Sequence, residues 1–378
     1  VTSDWTDAPS PVREGQSFDL TALASYFAEH APELKGPILV DQFGRGYSNL
    51  TYLLRVGEGT RERELVLRRA PPGVKIKSAH DMGREFRILS HLAPVWPKAP
   101  RPLLLCEDAA IIGSPFYVME RVRGVILRAR VPAGLQLGEA RIRRISEATI
   151  DTLAEIHALD FTAAGLKDLG KAEGYVERQV KGWAERYKKA QTDEVPDFER
   201  LSAWLFANMP EQSGVTLVHN DFKYDNIILD SAWMGAPLGP GETAPSGDPV
   251  RAVLDWEMAT LGDPLMDLGT TLGYWVEADD PPVFQVMVFG PTNLPGNLRR
   301  MDLAQRYAER TGRDVSNVLY YYAFALFKLA VVAQQLYRRY ADGLTQDDRM
   351  AAMLEGVRAL TVAAMQAVAK GRIDRLAQ

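Results

Sequence analysis

The stretch His219-Asn220-Asp221-Phe222-Lys223-Tyr224-Asp225-Asn226 follows an apolar run at 215–218 and leads into Ile227-Ile228-Leu229. Its pattern is H-x-D-x-x-x-x-N. A second carboxylate, Asp255, ends another apolar run, Ala252-Val253-Leu254, and is followed by Trp256. Short apolar runs bounded by polar turns read as strands. Asp221 and Asn226 therefore flank one loop and can face one cleft, and Asp255 can reach it from the neighbouring strand. Phosphoryl transfer from a nucleotide needs such a set. One carboxylate orients and deprotonates an acceptor hydroxyl, while an amide oxygen and a further carboxylate hold magnesium. Asp221, Asn226 and Asp255 fit these roles in order. Each alone also reads as a turn-forming Asp or Asn; the three in order between apolar strands carry the assignment.

Upstream, residues 38 to 70 alternate in strand fashion. A first strand runs to Phe43, a second from Thr51 to Val56, a third from Glu64 to Arg69. Ser78 or His80 opens a helix with Phe86, Leu89 and Leu92 at helical spacing, and Pro94, Pro97, Pro100 and Pro102 end it. Two more strands are expected at 103–106 and 116–120. Asp19 can cap a helix running to His30, and residues 1–17, rich in Pro, Asp and Ser, are expected to lie loose. The pattern predicts an α+β, bilobal chain. A small five-stranded lobe with one inserted helix covers 18–120, and a larger, mainly helical lobe covers 121–378. Glu120-Arg121-Val122-Arg123-Gly124 forms the hinge between them. Within the large lobe a long helix is expected at 137–159, a Gly/Pro-rich loop at 231–250 between the two catalytic strands, and helices from Asn297 onward.

The runs Val218-His219-Asn220-Asp221…Asn226-Ile227-Ile228-Leu229 and Leu254-Asp255-Trp256-Glu257…Gly262-Asp263-Pro264-Leu265-Met266-Asp267-Leu268 resemble those of the aminoglycoside phosphotransferase superfamily. These are small-molecule kinases with the protein-kinase architecture. The resemblance covers roughly residues 38 to 340 and is strongest to the branch related to kinase-like domains fused to some acyl-CoA dehydrogenases. It implies an antiparallel small lobe, ATP and Mg²⁺ as cofactors, and a small-molecule hydroxyl as acceptor.

Further site groups follow from this layout. Gly44, Gly46, Tyr47 and Ser48 sit in the loop that would cover the nucleotide, where glycine lets the backbone approach phosphates; Asn49 replaces the third glycine, and a plain hairpin turn would need glycine too. The third strand ends Leu67-Arg68-Arg69, without the usual lysine. Arg68 matches the strand cation, with Arg69 as the alternative, since period-two alternation sends only one into the cleft. Glu85 is the matching carboxylate on the following helix. Glu120 and Val122 would meet adenine through backbone groups. Lys223, two residues after Asp221, is a candidate for the transferring phosphoryl group or a substrate anion. Asp263 and Asp267 read as structural, the second steadying the catalytic loop by the resemblance. His219 reads as a loop brace and His157 as a core histidine.

Composition bounds the rest. A formal net charge of -5 disfavours bulk nucleic-acid binding. The single Cys106 excludes an intrachain disulfide and a multi-cysteine metal site. The amino-terminal residues carry no basic-then-apolar leader, and the longest apolar run, Tyr320 to Leu336, contains Lys328. A cytoplasmic protein without membrane contact is expected. No G-x-x-x-x-G-K-[ST] loop is present. Residues 297–378 hold thirteen Lys/Arg against eight Asp/Glu, with Arg299, Arg300, Arg306, Arg310 and Arg313 clustered. That basic excess favours an anionic acceptor such as a hydroxyacyl-CoA or hydroxy acid over a polycationic aminoglycoside; a solvated helix face explains it equally. Tyr274, Trp275 and Tyr320 to Tyr322 offer either an aromatic cage for a choline-like cation or a core stripe. The rival to a kinase is a nucleotide-binding pseudokinase, which the missing strand lysine favours and the intact Asp221, Asn226 and Asp255 oppose.

Overall fold

In the computed structural model, residues 5–44, 49–71, 81–239, 241, 243–285, 288–345 and 347–377 are described. The small lobe is built on strands β1 (Ile38–Gln42), β2 (Leu50–Val56), β3 (Arg63–Arg69), β4 (Pro102–Cys106) and β5 (Phe116–Glu120). They form one antiparallel sheet in the order β1-β2-β3-β5-β4. Alternation along each strand separates two faces. Tyr52, Leu54, Leu65, Leu67, Phe116 and Val118 pack with Leu23 and Phe27 of helix α1 (Leu20–His30). Val66, Tyr117 and Met119 point the other way and join the core shared with the large lobe.

Helix α1 begins where expected, with the Asp19 carboxylate accepting from the Thr21 and Ala22 amides. Helix α2 (Met82–Leu92) is capped by Asp81, which accepts from Arg84 N at 2.9 Å. The openings expected at Ser78 or His80 lie outside the described residues. Residues 5–17 correct the expectation of a loose segment. Ser10 pairs with Gln42 on the free edge of β1 through two backbone bonds of 2.8 and 2.7 Å. The Gln16 carbonyl accepts from Tyr52 and Arg69, and Asp7 pairs with both terminal nitrogens of Arg128. An edge strand exposes unpaired amides and carbonyls, and this polar segment satisfies those of Gln42.

The hinge leads directly into the large lobe. Val125 and Leu229 exchange two 2.8 Å backbone bonds. A Cβ on Gly124 would lie 2.3 Å from Ile228 Cγ2 and from the Leu229 carbonyl, so only glycine fits there. Behind it run helices α3 (Glu139–Ala158) and α4 (Tyr175–Ala190). Two short antiparallel ladders follow: β6 (Thr216–Val218) with β9 (Thr260–Gly262), and β7 (Ile227–Leu229) with β8 (Val250–Val253). Helices α5 (Pro264–Gly273), α6 (Arg300–Thr311), α7 (Val318–Ala341) and α8 (Met353–Lys370) complete the lobe. A Cβ at Gly269 would lie 2.5 Å from Tyr321 O, and one at Gly273 would lie 2.8 Å from Ala325 Cβ. Glycine at both positions therefore lets α5 and α7 approach closely. Helix α7 is long and apolar enough to cross a membrane, yet most of its apolar window is buried inside the lobe.

Candidate active site

Strand β6 delivers His219, Asn220 and Asp221 at its carboxyl end. Asn220 is left-handed, with φ 66°, a conformation that non-glycine residues hold only when neighbours enforce it. Asp267, at the start of α5, enforces it. Its Oδ2 accepts from His219 N and its Oδ1 from Asn220 N, both at 2.7 Å. His157 of α3 lies 3.1 Å from the same Oδ2, with Tyr307 OH behind it at 2.7 Å. Burial alone would raise the Asp267 pKa; the hydrogen bond and charge of His157, then His219, bring it below the ordinary value. His157 is thus a buried histidine that orients a carboxylate. His219 accepts from Asp221 N at Nδ1 (3.3 Å) and so donates from Nε2 to Leu254 O (2.9 Å). It ties the loop to the strand that carries Asp255. Asp263 caps α5 and holds Ser213.

Asp221 meets three donors. Tyr274 OH reaches Oδ1 at 2.6 Å, Lys223 Nζ reaches Oδ2 at 2.6 Å, and Asn226 Nδ2 reaches Oδ2 at 2.9 Å. Lys223 Nζ also lies over the rings of Tyr274 and Phe289, at 4.7 and 5.8 Å. Asn226 also donates Nδ2 to the Asp221 carbonyl at 2.8 Å; its amide oxygen accepts no hydrogen bond among the described residues.

The opposite wall comes from the small lobe. Arg68 is the cleft residue. It pairs with Glu85 through Nη1 and with Asp255 Oδ1 through Nη2 at 2.9 Å. Arg69 faces the other side of the sheet, bonded to Tyr52, Ile112 O and Gln16 O, so alternation settles the choice between them. Burial works against the Arg68 charge, but Glu85 leads the neighbours that hold its pKa well above the usual value. Asp255 is left-handed (φ 66°) as it leaves β8, and Trp256 N donates to Glu85 at 3.1 Å. Glu257, which the sequence reading passed over, accepts from Asn49 Nδ2 at 2.7 Å and lies 3.7 Å from Arg68. One carboxylate oxygen from each of Glu85, Asp255 and Glu257 lies within 4.8 Å of the others.

Gly44 is described, and its carbonyl accepts from Arg13; Gly46, Tyr47 and Ser48 lie outside the described residues. Glu120 and Val122 line a cavity of about 850 Å³ with Pro94, Pro97, Arg101 and Arg251, which contains none of Asp221, Asn226 or Asp255.

Two features of the large lobe bear on the acceptor. The arginine cluster is largely neutralised internally: Arg300 is buried on Asp280, Arg299 pairs with Asp279 and Glu277, and Arg306 and Arg310 pair with Asp151. Charge counting along the chain could not see those partners. Tyr320, Tyr321 and Tyr322 are core side chains, as the core-stripe reading has it; of that set Tyr274 reaches Asp221.

The model of the phosphotransferase enzyme family matches residues 40–303, which include every catalytic-loop and strand group above. The chain belongs to this family. Among curated relatives, this phosphotransferase-family chain is 35% identical to acyl-CoA dehydrogenase family member 10 of Mus musculus over 339 residues, covering 88% of the chain and 30% of that protein. It is 35% identical to member 11 of the same species, covering 91% and 42%. The chain therefore spans less than half the length of these relatives. A candidate aminoglycoside phosphotransferase structure from Ralstonia eutropha superposes with a TM-score of 0.75 at 28% identity, covering 94% of this chain and 99% of that one. Choline kinase from Cryptosporidium parvum shares the fold at 12% identity, with a TM-score of 0.59 over 95% and 99%. The bilobal, kinase-like α+β class is the one expected from the sequence.

Proposed function

We propose that this chain is an ATP-dependent small-molecule kinase that moves the γ-phosphoryl group to a hydroxyl. The observation that carries this is the convergence of Asp221, Asn226, Asp255 and Arg68 on one cleft between the lobes. Asp221 is the base, placed beside Lys223, whose cation can meet the transferring phosphoryl group. The small lobe, residues 18–120, covers the nucleotide, with the loop from Gly44 over the phosphates and Glu120 and Val122 at the adenine. The lobe at 121–378 takes the acceptor.

The donors suit Mg²⁺, a hard cation that prefers carboxylate and carbonyl oxygens. Asp255 offers a carboxylate, and Asn226 offers the amide oxygen left without a hydrogen bond. Magnesium would neutralise charge on the phosphates. Arg68, released from Asp255, would clamp a phosphate bidentately.

The acceptor class in this reading is a hydroxyacyl thioester or hydroxy acid. Its support is the identity to proteins named acyl-CoA dehydrogenase family members and the Lys223 cation at the base; the arginine cluster lends none. The test is ATP consumption with Mg²⁺ against 4-hydroxyacyl-CoAs of several chain lengths, kanamycin-type aminoglycosides, choline and homoserine. Turnover on hydroxyacyl-CoA, lowered about 10²- to 10⁴-fold in Asp221→Ala, is expected. Turnover on an aminoglycoside or choline instead would overturn the acceptor class. Nucleotide binding without transfer to any of them would favour a pseudokinase, and unchanged turnover in Asp221→Ala would overturn the base.

A further inference from the structure

Lys328 is the one charged side chain in the run Tyr320 to Leu336. It lies on α7, only 6% exposed. Burying an ammonium in an apolar lobe is costly unless it is used. Its Nζ donates to the carbonyl of Asn220 at 3.0 Å. That carbonyl belongs to the peptide unit joining Asn220 to Asp221, whose N–H is held by His219 Nδ1.

Asn220 is thereby gripped at all four of its polar atoms. Asp267 takes its N–H and Lys328 its carbonyl; Tyr175 OH donates to its Oδ1 at 2.9 Å, and its Nδ2 donates to Met258 O at 3.1 Å. A left-handed non-glycine residue persists when its surroundings over-determine it, and this residue immediately precedes the proposed base. The close approach of α5 and α7 at Gly269 and Gly273 brings the Asp267 and Lys328 clamps to the two peptides that flank Asn220.

We infer that Lys328 is a positioning residue for phosphoryl transfer: its ammonium fixes the Asn220–Asp221 peptide from α7 and so sets where the Asp221 carboxylate stands. The inference rests on the reading of Asp221 as base. The groups facing Lys328 are Asp221 and Lys223 on the loop, Asp267 on α5, and Arg186 and the Trp183 ring on α4. Burial is the main reason its pKa drops to about 8, with Asp221 and Asp267 opposing and Lys223 and Arg186 assisting. The clamp is therefore charged below about pH 8 and loses its charge above it.

The test compares wild type, Lys328→Met, Lys328→Arg and Asp221→Asn as full chains in Mg·ATP turnover, to water and to any acceptor that responds, from pH 6 to 9.5. In Lys328→Met, kcat is expected to fall about ten- to a hundredfold, as small misplacements of catalytic groups do. The KM for ATP should stay within about twofold, because the Arg68 and hinge contacts are untouched. Wild-type kcat should decline as pH rises through about 8. Lys328→Arg, charged throughout, should recover part of kcat and lose that decline. Wild-type turnover in Lys328→Met, or an unshifted alkaline decline in Lys328→Arg, would overturn the inference. Should the Met variant not fold, the Arg profile decides alone. If Asp221→Asn keeps full turnover, the assignment of the base fails rather than the clamp.

Discussion

Tyr274 donates its phenol to Oδ1 of Asp221 at 2.6 Å, across 53 positions of sequence. Burial first, and then the Asp221 charge, hold the phenol pKa well above its ordinary value, so it remains a donor at every working pH. The other oxygen of Asp221 is occupied by Lys223 and Asn226. The Tyr274 bond therefore fixes the rotation of the carboxylate.

Tyr274→Phe removes that bond and keeps the ring over Lys223. A hydrogen bond to a charged group contributes about 1.5–3 kcal/mol. If about half of that is used in the transfer step, kcat falls about four- to twelvefold. ATP affinity should not change. Steady-state kinetics with ATP varied at saturating acceptor check it; an unaltered kcat would show that Tyr274 only packs.

Arg68→Met should cost more in stability than in any other property. It strands Glu85, 1% exposed, without its cation, and breaking one side of a buried ion pair costs about 3–5 kcal/mol. Lys at this position supplies charge but only one nitrogen, whereas Arg68 reaches Glu85 and Asp255 through two. Arg68→Lys should therefore fall between. Urea unfolding ranks the three proteins, and a Met variant as stable as wild type would contradict the pairing.

Asp267→Asn replaces one acceptor oxygen by a donor facing either a loop amide or His157. A loss of about 2–4 kcal/mol is expected at pH 7. The pKa of Asp267 lies below the ordinary 3.8 when folded. Its stabilisation is therefore complete above the unfolded value and is lost as pH falls through the folded one. Urea midpoints should show a constant gap between wild type and variant from pH 5 to 8, narrowing below about 3.8. A gap that widens on acidification would refute the sign.

The fold was legible because its signals are local. Strand alternation placed Arg68 and Arg69 on opposite faces, and the spacing from His219 to Asn226 marked a loop between two apolar strands. What escaped depends on distant packing. Nothing near Tyr274 points to Asp221. Lys328 does carry a signal, a lone ammonium in an apolar helix, but the sequence does not say which group it meets. Glu257 lies two positions after Asp255, but only the fold brings it to Arg68 and Asn49. Four of the five arginines of 299–313 read as free in the sequence because their acidic partners lie elsewhere, Asp151 among them. Residues 5–17 looked loose because pairing with a sheet edge leaves no apolar pattern.

The Val125–Leu229 bridge has a mechanical meaning. The chain is fastened to strand β7 five residues after it leaves the sheet at Glu120, and Gly124 permits the contact. Rotation of one lobe against the other is therefore confined to the few peptides between Glu120 and Gly124. Arg121 and Arg123 both grip Glu64 of β3, which stiffens that span from the sheet side. The pivot is short and sits next to the strand that follows Asn226, so a hinge motion there would change the gap above Asn226 and Asp255 while hardly disturbing Asp221.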